Sequence, residues 1–294
     1  MEKQTIFSGT ATALITPFRD GNIDFPALGN IIEYQISSGI NALVIAGTTG
    51  EASTLTESER YALYEFSAER CRGRIPLILG TGTNDTKTAI KHTRRAAELQ
   101  ADAALVVTPY YNKGTAKGIV EHYRTVANSA DLPIILYNVP SRTGVNLSVS
   151  AIEELIAEPN IVGIKEASDS TDRLTLLSRF TDSLSLYMGN DTQIFSGLAL
   201  GGLGVISVAS NIAPREVLNV TQSFTRGELS KSLSAQKTLL PLCQALFAET
   251  NPAPIKYAMS RAGFCSEEIR LPLSMPSEET CRMVDQIITD FGIG

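Results

Sequence analysis

Eight short apolar runs recur at a steady spacing along this chain, and segments with helical periodicity lie between them. The runs cover residues 10–16, 42–46, 75–79, 103–107, 133–137, 161–165, 184–188 and 204–208. Strands that alternate with helices pair in parallel through right-handed crossovers. Eight strands is the number that closes such a sheet into a barrel. The pattern therefore predicts an α/β fold of the (β/α)8 TIM-barrel type, with a doubly wound open sheet as the alternative.

Helix signals between and after these runs support the alternation. Thr56 and Glu59 have the spacing of a capping box, and so do Ser150 and Glu153. Four more helix-like segments follow the eighth run, at residues 214–226, 229–249, 254–262 and 278–291. These are more than one closing helix requires. We therefore divide the chain into a barrel catalytic domain, residues 1–225, and a C-terminal helical extension, residues 226–294.

The balance of charged and apolar residues excludes several classes of partner. The chain has 294 residues, of which 43% are hydrophobic and 19% are charged, and its formal net charge is −6. This acidic balance argues against a nucleic acid or an anionic membrane as the partner. No apolar run reaches the roughly 18 residues of a membrane span, and the N-terminus lacks the apolar region of a signal peptide. We therefore expect a cytoplasmic protein.

Cysteine and histidine usage argues against a metal site. The four cysteines, at positions 71, 243, 265 and 281, are widely spaced, which fits free thiols in a reducing cytosol. His92 and His122 are the only histidines, and we expect both to lie at the surface of helix-like segments. The chain also lacks a Rossmann glycine motif and a Walker loop. The sequence thus predicts neither a metal nor a cofactor.

A lysine ends the sixth apolar run, where a buried ammonium is expensive to desolvate. Side chains alternate along a strand, so we expect Gly163 and Lys165 on one face and Val162 and Ile164 on the other. If helices cover the aliphatic face, the lysine points into the barrel. Its pKa would then fall, and a neutral amine is a nucleophile towards carbonyl carbons. The alternative is a strand-end lysine that reaches solvent or pairs with Glu166.

The carboxyl ends of the other strands carry polar groups, and in a barrel these ends meet at one face. The second strand ends in the motif GTTGE at 47–51, where Thr48 and Thr49 could hold a small carboxylate or could cap a helix. The fourth strand is followed by Tyr110 and Tyr111. Adjacent tyrosines there could pack against apolar neighbours, or one phenol could donate a proton.

Further candidates follow the fifth, seventh and eighth strands. Tyr137 ends the fifth strand and could exchange protons opposite Lys165 on the next strand. Arg142 suits bidentate binding of a carboxylate, although it could also be an ordinary surface arginine. Near Gly189 and Ile206 the chain offers small residues and main-chain polar groups. An amine, phenols and carboxylate-binding groups together suit a Schiff-base reaction on a 2-oxo acid, without a metal.

Four motifs carry a resemblance to a known family. They are GTTGE at 47–51, TPYYN at 108–112, YNVPSRTG at 137–144 and GIKE at 163–166. In this order and spacing they resemble the dihydrodipicolinate synthase (4-hydroxy-tetrahydrodipicolinate synthase) family, and the likeness runs from about residue 9 to residue 211 and through 252–257. GIKE marks the wider group of Schiff-base pyruvate aldolases, which includes N-acetylneuraminate lyase. PSRTG marks the synthase branch.

The resemblance implies a lyase that condenses pyruvate with L-aspartate 4-semialdehyde, the first step of the diaminopimelate route to lysine. It implies that Lys165 is the Schiff-base lysine and Tyr137 the proton donor and acceptor. Thr49, Tyr137 and Tyr111 would form a proton relay. Tyr111 would reach in from a neighbouring subunit of a homotetramer built from two tight dimers.

The same resemblance implies the substrate contacts. Thr48 and Thr49 would bind the pyruvyl carboxylate, and Arg142 the carboxylate of the semialdehyde. Gly189 and Ile206 would contribute main-chain contacts. Two alternatives remain: another aldolase of the family, which would generally lack the arginine after Pro-Ser, and a non-catalytic member that binds 2-oxo acids.

One family pattern is missing from the chain. Members that lysine inhibits usually carry a histidine or a similar ligand soon after the GTTGE turn and a glutamate on the third helix. The corresponding regions here contain Ala52, Ser53, Glu57 and Arg60, with Thr88 in the place of the glutamate. Without this glutamate, the ammonium group of a bound L-lysine would have no carboxylate partner. We therefore expect weak or absent inhibition by L-lysine.

Overall fold

The computed structural model describes residues 3–293, and eight of the strands in this part of the chain form a closed parallel barrel. The strands are β1 Gly9–Ala13, β2 Phe18–Arg19, β3 Asn22–Ile23, β4 Ala42–Ile45, β5 Leu77–Gly80, β6 Ala103–Val107, β7 Ile134–Asn138, β8 Ile161–Glu166, β9 Ser185–Met188 and β10 Gly204–Ser207. Around the barrel their order is β1-β10-β9-β8-β7-β6-β5-β4, while β2 and β3 pair as a separate antiparallel hairpin. The predicted TIM barrel is confirmed, and the open-sheet alternative is wrong.

Helices surround the barrel and continue past its last strand. They are α1 Phe25–Ser37, α2 Glu57–Cys71, α3 Thr86–Glu98, α4 Ala116–Ala127, α5 Pro140–Thr143, α6 Val149–Leu155, α7 Thr171–Leu177, α8 Ile194–Ala199, α9 Pro214–Thr225, α10 Leu229–Leu246, α11 Ala253–Arg261 and α12 Glu278–Asp290. Single 3-10 turns lie at Ala52–Thr54, Ser178–Phe180, Asp191–Gln193 and Ala209–Asn211. None of the helices in residues 3–293 is both long and apolar enough to cross a membrane.

Of the two predicted capping boxes, one is present and the other is not. The predicted capping box of Thr56 and Glu59 is present at α2. Ser150 does not cap α6: the hydroxyl of Ser148 accepts the backbone N–H of Ala151 at 3.1 Å and makes Ser148 the N-cap. Two serines two residues apart are equally suitable caps by type. The backbone conformation at the helix entry selects between them.

The apolar residues form two layers separated by the strands. The barrel interior holds mainly small and aliphatic side chains from alternate strand positions, among them Ala11, Ala42 and Ala103. A larger layer fills the space between the outside of the strands and the helices, where Leu43 and Leu136 are examples. Strands buried on both faces explain why the apolar runs of the sequence are continuous rather than alternating.

A bulge in β8 changes which side chains share a face. Ile134 of β7 pairs with Ile161, but Ile135 pairs with Gly163, so one extra residue is inserted at Val162. Val162 therefore belongs to the interior layer, whereas Ile164 packs towards the helices. The expectation that these two residues share a face is wrong. From Gly163 onwards the alternation resumes.

Both histidines are buried, so the prediction that they lie at the surface is wrong. His92 Nδ1 lies 3.3 Å from the Tyr61 hydroxyl, and His122 Nδ1 lies 3.0 Å from Thr86 Oγ1. Burial lowers the pKa of His92 and of His122 to about 4. Each imidazole is packed between neighbouring helices. A histidine in a helical segment is a polar residue, and the sequence pattern alone does not predict that it is buried. Within residues 3–293, no group of three or more His, Cys, Asp and Glu side chains is placed to hold a metal ion.

A buried ion pair links the C-terminal helices to the barrel. Lys256 of α11 has no exposed surface, and its Nζ lies 2.5 Å from Oε1 of Glu51, in the turn that follows β4. The second carboxylate oxygen of Glu51 accepts the backbone N–H of Arg270 at 3.0 Å. Residues beyond 250 therefore hold a loop at the carboxyl end of the barrel. The division of the chain between residues 225 and 226 stays a prediction.

Candidate active site

The carboxyl ends of the barrel strands open into a cavity of about 490 Å³. Six of the residues predicted for the site line it: Thr48, Thr49, Tyr137, Arg142, Lys165 and Gly189. They come from four different strand ends, spread over nearly half of the chain. The parallel direction of the strands brings them together, as the barrel architecture requires.

Lys165 points into the barrel at the floor of this cavity. It is 5% exposed and lies directly opposite Tyr137 of β7, with its Nζ 4.5 Å from the centre of the Tyr137 ring. Tyr187 of β9 lies opposite Lys165 on the other side. A methyl group at Gly163 would come within 3.2 Å of the Tyr187 ring, so glycine keeps the space below the lysine free. The expected orientation of Lys165 is confirmed.

Glu166 does not pair with the lysine. Its carboxylate is buried and faces the other way, where it accepts hydrogen bonds from Arg173 Nε at 2.7 Å and from Asn138 Nδ2 at 2.9 Å and 3.0 Å. It also accepts the backbone N–H of Ser168 at 2.9 Å. These bonds tie the ends of β7 and β8 together behind the site. The alternative of a solvent-reaching or Glu166-paired lysine is therefore wrong.

The two threonines lie in a tight turn rather than at a helix start. Backbone N–H groups of Gly50 and Glu51 donate to the carbonyls of Gly47 and Thr48, each at 3.1 Å. The cap of α2 is Thr56, so the reading of Thr48 and Thr49 as helix caps is wrong. Glu51 adopts a positive φ of 53°, a conformation that its buried pair with Lys256 helps to maintain.

Asn251, in the loop between α10 and α11, is a cavity residue that sequence reasoning missed. Its Nδ2 donates to Thr49 Oγ1 at 3.0 Å, and its backbone carbonyl accepts a hydrogen bond from Arg142 Nη2 at 2.7 Å. Its own Oδ1 is buried and has no hydrogen-bond partner among residues 3–293. An Asn-Pro dipeptide after a long helix predicts a turn, but nothing in it predicts a contact with residues 109 and 202 positions away.

Arg142 is held by this loop at the mouth of the cavity. It lies on α5, the single turn Pro140–Thr143, which is capped by Gly144 with a φ of 67°. Although Arg142 is largely exposed, its side chain lines the cavity and donates to Asn251 as described. Guanidinium groups fixed in this way are suited to a carboxylate ligand. An ordinary surface arginine would lack this anchor.

Two predicted residues do not line the cavity. Tyr111 is 88% exposed, with a φ of 69°, and within the described chain its ring lies outside the site. Ile206 is fully buried in the barrel interior, where it pairs with Ala11 of β1. Tyr110 lines a second cavity of about 300 Å³, which shares Thr48 and Tyr137 with the first. The single chain therefore does not bring Tyr111 to Thr49 and Tyr137.

Comparison with known proteins agrees with this geometry. A relative from Alkaliphilus oremlandii, named 4-hydroxy-tetrahydrodipicolinate synthase, is 46% identical over 278 residues, covering 94% of this chain and 96% of the relative. The crystal structure of a dihydrodipicolinate synthase from Aquifex aeolicus is 42% identical, with a TM-score of 0.96 over 98% of this chain and 99% of that one. The crystal structure of a dihydrodipicolinate synthase from Acinetobacter baumannii, complexed with pyruvate, is 39% identical, with a TM-score of 0.96 over 99% of this chain and 100% of that one.

The sequence model of the dihydrodipicolinate synthetase family matches residues 6–291, which is nearly the whole chain. The match includes the strand ends that line the cavity and the C-terminal helices that close it. The chain belongs to the dihydrodipicolinate synthetase family.

Proposed function

We propose that the chain acts as a 4-hydroxy-tetrahydrodipicolinate synthase, a lyase that condenses pyruvate with L-aspartate 4-semialdehyde on the diaminopimelate route to lysine. One observation carries the proposal: a buried lysine amine lies opposite a tyrosine in a cavity that also presents two threonine hydroxyls and an anchored arginine. The named relatives and the pyruvate complex of the Acinetobacter baumannii protein support the choice of substrates.

The first step is attack of the Lys165 lone pair on C2 of pyruvate. The carbonyl oxygen takes up two protons and leaves as water, and a carbon–nitrogen double bond remains as a positively charged iminium. Tyr137 is the proposed proton donor and acceptor, since its ring lies 4.5 Å from the attacking nitrogen. Thr48 and Thr49 would bind the carboxylate, and the main chain at Gly189 and Ile206 would contribute further contacts.

The second step is attack of an enamine on the semialdehyde. The iminium draws electrons from the methyl carbon, which loses a proton to give the enamine. The enamine carbon then bonds to the aldehyde carbon, the aldehyde carbon–oxygen π bond breaks, its oxygen takes up a proton, and the iminium on Lys165 is restored. Attack of the amino group of the semialdehyde on the iminium carbon displaces the lysine amine and closes the ring of the product. Arg142 would bind the carboxylate of the semialdehyde at the cavity mouth, where Asn251 holds it. Protons would pass along Thr49, Tyr137 and Tyr111. The exposure of Tyr111 in the single chain supports its arrival from a neighbouring subunit of a homotetramer.

The substrate assignment is tested by Arg142→Ala. We expect purified wild-type protein to turn over pyruvate and aspartate semialdehyde in a coupled reductase assay. The variant should lose about 2–3 kcal/mol of binding to a charged group, on the order of 100-fold in kcat/KM for the semialdehyde. Reductive trapping of pyruvate should remain near the wild-type level, because the proposal assigns Arg142 to the carboxylate of the second substrate.

Two results would contradict the assignment. Wild-type protein that traps pyruvate but does not consume the semialdehyde would indicate another aldolase of the family. An Arg142→Ala variant with full synthase activity would remove the role of the arginine. Lys113→Ala is the matched control, since that basic side chain lies beside Gly144 but does not line the cavity.

We also predict that millimolar L-lysine leaves the initial rate nearly unchanged. Ala52, Ser53 and Arg60 line the second cavity, and Arg60 is fixed there by hydrogen bonds to the carbonyls of Gly80 at 3.1 Å and Ala52 at 2.6 Å. A fixed guanidinium repels an ammonium group. Initial rates measured against lysine concentration test this, and strong inhibition at sub-millimolar lysine would contradict it.

A cytoplasmic location completes the proposal. It is supported by a biosynthetic activity that draws on central metabolites and by four cysteines that are free in the structure.

A further inference from the structure

Asp191 is a buried acid in the same cavity as Lys165, and no step described above uses it. It begins the 3-10 turn Asp191–Gln193 after β9, and it is 1% exposed. Its Oδ2 accepts the backbone N–H groups of Val208 and Ala209, each at 3.0 Å. Its Oδ1 is buried and has no hydrogen-bond partner within residues 3–293.

A carboxylate oxygen without a partner is costly to bury unless a positive charge lies nearby. Two cationic side chains line the cavity, Arg142 and Lys165. Arg142 lies at the mouth and donates to the carbonyl of Asn251. Burial raises the pKa of Asp191, while the neighbouring hydroxyl of Ser207, the two amides and the charge of Lys165 act in the opposite direction. Lys165 is the buried cation of this cavity, and it lies near the end of β8, the strand that pairs with β9, which Asp191 follows, whereas Arg142 is exposed.

We infer that Asp191 is the counter-ion of the charged nitrogen of Lys165, a positioning residue that acts through the lysine rather than on the substrate. This inference rests on the proposed function. Formation of the iminium from a neutral amine and a keto acid consumes one proton and releases one water, so the nitrogen gains a positive charge. The carboxylate of Asp191 stabilises that charge, and the charge disappears when the methyl proton leaves and the enamine forms.

Asp191 is held in place by groups that do not titrate. The amides of Val208 and Ala209 fix Oδ2, and Gln236 Nε2 donates to the backbone carbonyl of Asp191 at 3.0 Å. The titratable groups around it are Lys165 from β8 and the buried thiol of Cys243 from α10. Burial raises the pKa of that thiol, so it stays neutral at ordinary pH. Tyr137, Arg142 and Asp169 line the remaining walls.

The test is the pH dependence of reductive trapping. Full-length protein is incubated with pyruvate and cyanoborohydride across a pH series, and the rate of mass gain on Lys165 is measured. Attack requires the neutral amine, so the rate rises with pH. Asp191→Asn keeps the size and one acceptor oxygen but removes the charge that favours the protonated nitrogen. The midpoint of the curve should move to lower pH by about one unit.

Gln236→Leu is the matched structural control. It removes the hydrogen bond to the same turn and leaves the carboxylate in place, so the rate should fall equally at every pH without a shift of the midpoint. Asp191→Ser is a second variant, with the same expected direction as Asp191→Asn, in case the first does not fold.

The outcomes separate the two proposals. Coincident midpoints for the wild type and the Asp191 variants would overturn the role of Asp191 and leave the proposed function intact. A wild type that gains no mass on Lys165 would overturn both. A shift of similar size in Gln236→Leu would also overturn the inference, because it would assign the effect to the turn rather than to the charge.

Discussion

Lys165→Met should abolish covalent capture of pyruvate and lower kcat/KM of the synthase reaction by at least about 10³-fold, since the nucleophile of the proposed mechanism is lost. Methionine has nearly the length of lysine and fills the space above Gly163. It also removes an amine that costs free energy to desolvate. We therefore expect the variant to fold and to be at least as stable as the wild type. Intact-protein mass after reduction with pyruvate and borohydride is the measurement.

Tyr137→Phe is the control for this experiment. It keeps the amine and the ring beside it but removes the hydroxyl, so we expect slow turnover with a pyruvyl adduct still formed on Lys165. An adduct of unchanged yield in Lys165→Met, or one mapped by peptide mass to another side chain in the wild type, would refute the proposed chemistry.

Lys256→Met should destabilise the fold by about 3–5 kcal/mol, because it leaves Glu51 as a buried carboxylate without its cation. Both side chains are almost completely buried, and their charged atoms lie 2.5 Å apart. Burial lowers the pKa of Lys256, while the charge of Glu51 raises it. The urea concentration at half-unfolding should fall, as measured by circular dichroism. We also expect weaker pyruvate binding, because Glu51 ends the turn that presents Thr48 and Thr49.

Two further variants separate a broken ion pair from general damage. The double variant Glu51→Leu with Lys256→Met removes both charges and should recover much of the lost stability. Lys91→Met breaks a pair with Glu57 whose side chains are about half exposed, so the urea midpoint should stay close to that of the wild type. Equal losses in Lys256→Met and in the double variant would contradict the importance of the unpaired charge.

The order of the barrel strands and most of the site followed from local patterns. Periodicity and strand count predicted the closed barrel, and the position of Lys165 and Tyr137 at neighbouring strand ends predicted that they meet. Each of these features depends on residues that are close in sequence, or on the parallel geometry that all eight strands share. The family motifs then added the roles of Thr48, Thr49 and Arg142, which stay predictions until the variants are measured.

The errors share a physical cause. Val162 faces the interior because β8 carries one extra residue against β7, and an apolar run has no signal for such a bulge. His92 and His122 are buried because adjacent helices cover them, with Tyr61 of α2 beside His92 and Thr86 of α3 beside His122. In each case the outcome depends on what packs against the residue rather than on the residue itself.

The amino-acid sequence was sufficient for the architecture, the class of reaction and the position of Lys165 opposite Tyr137. The role of Lys165 as the nucleophile stays a prediction. It could not reveal that Asn251 touches Thr49, that Lys256 neutralises Glu51, or that Asp191 is held by the amides after β10. These partners are between 17 and 205 positions apart in sequence. The periodicity of a sequence predicts only the local secondary structure and the face on which a residue lies. Contacts across such separations arise only when the closed barrel and its C-terminal helices bring distant segments to the same end of the strands.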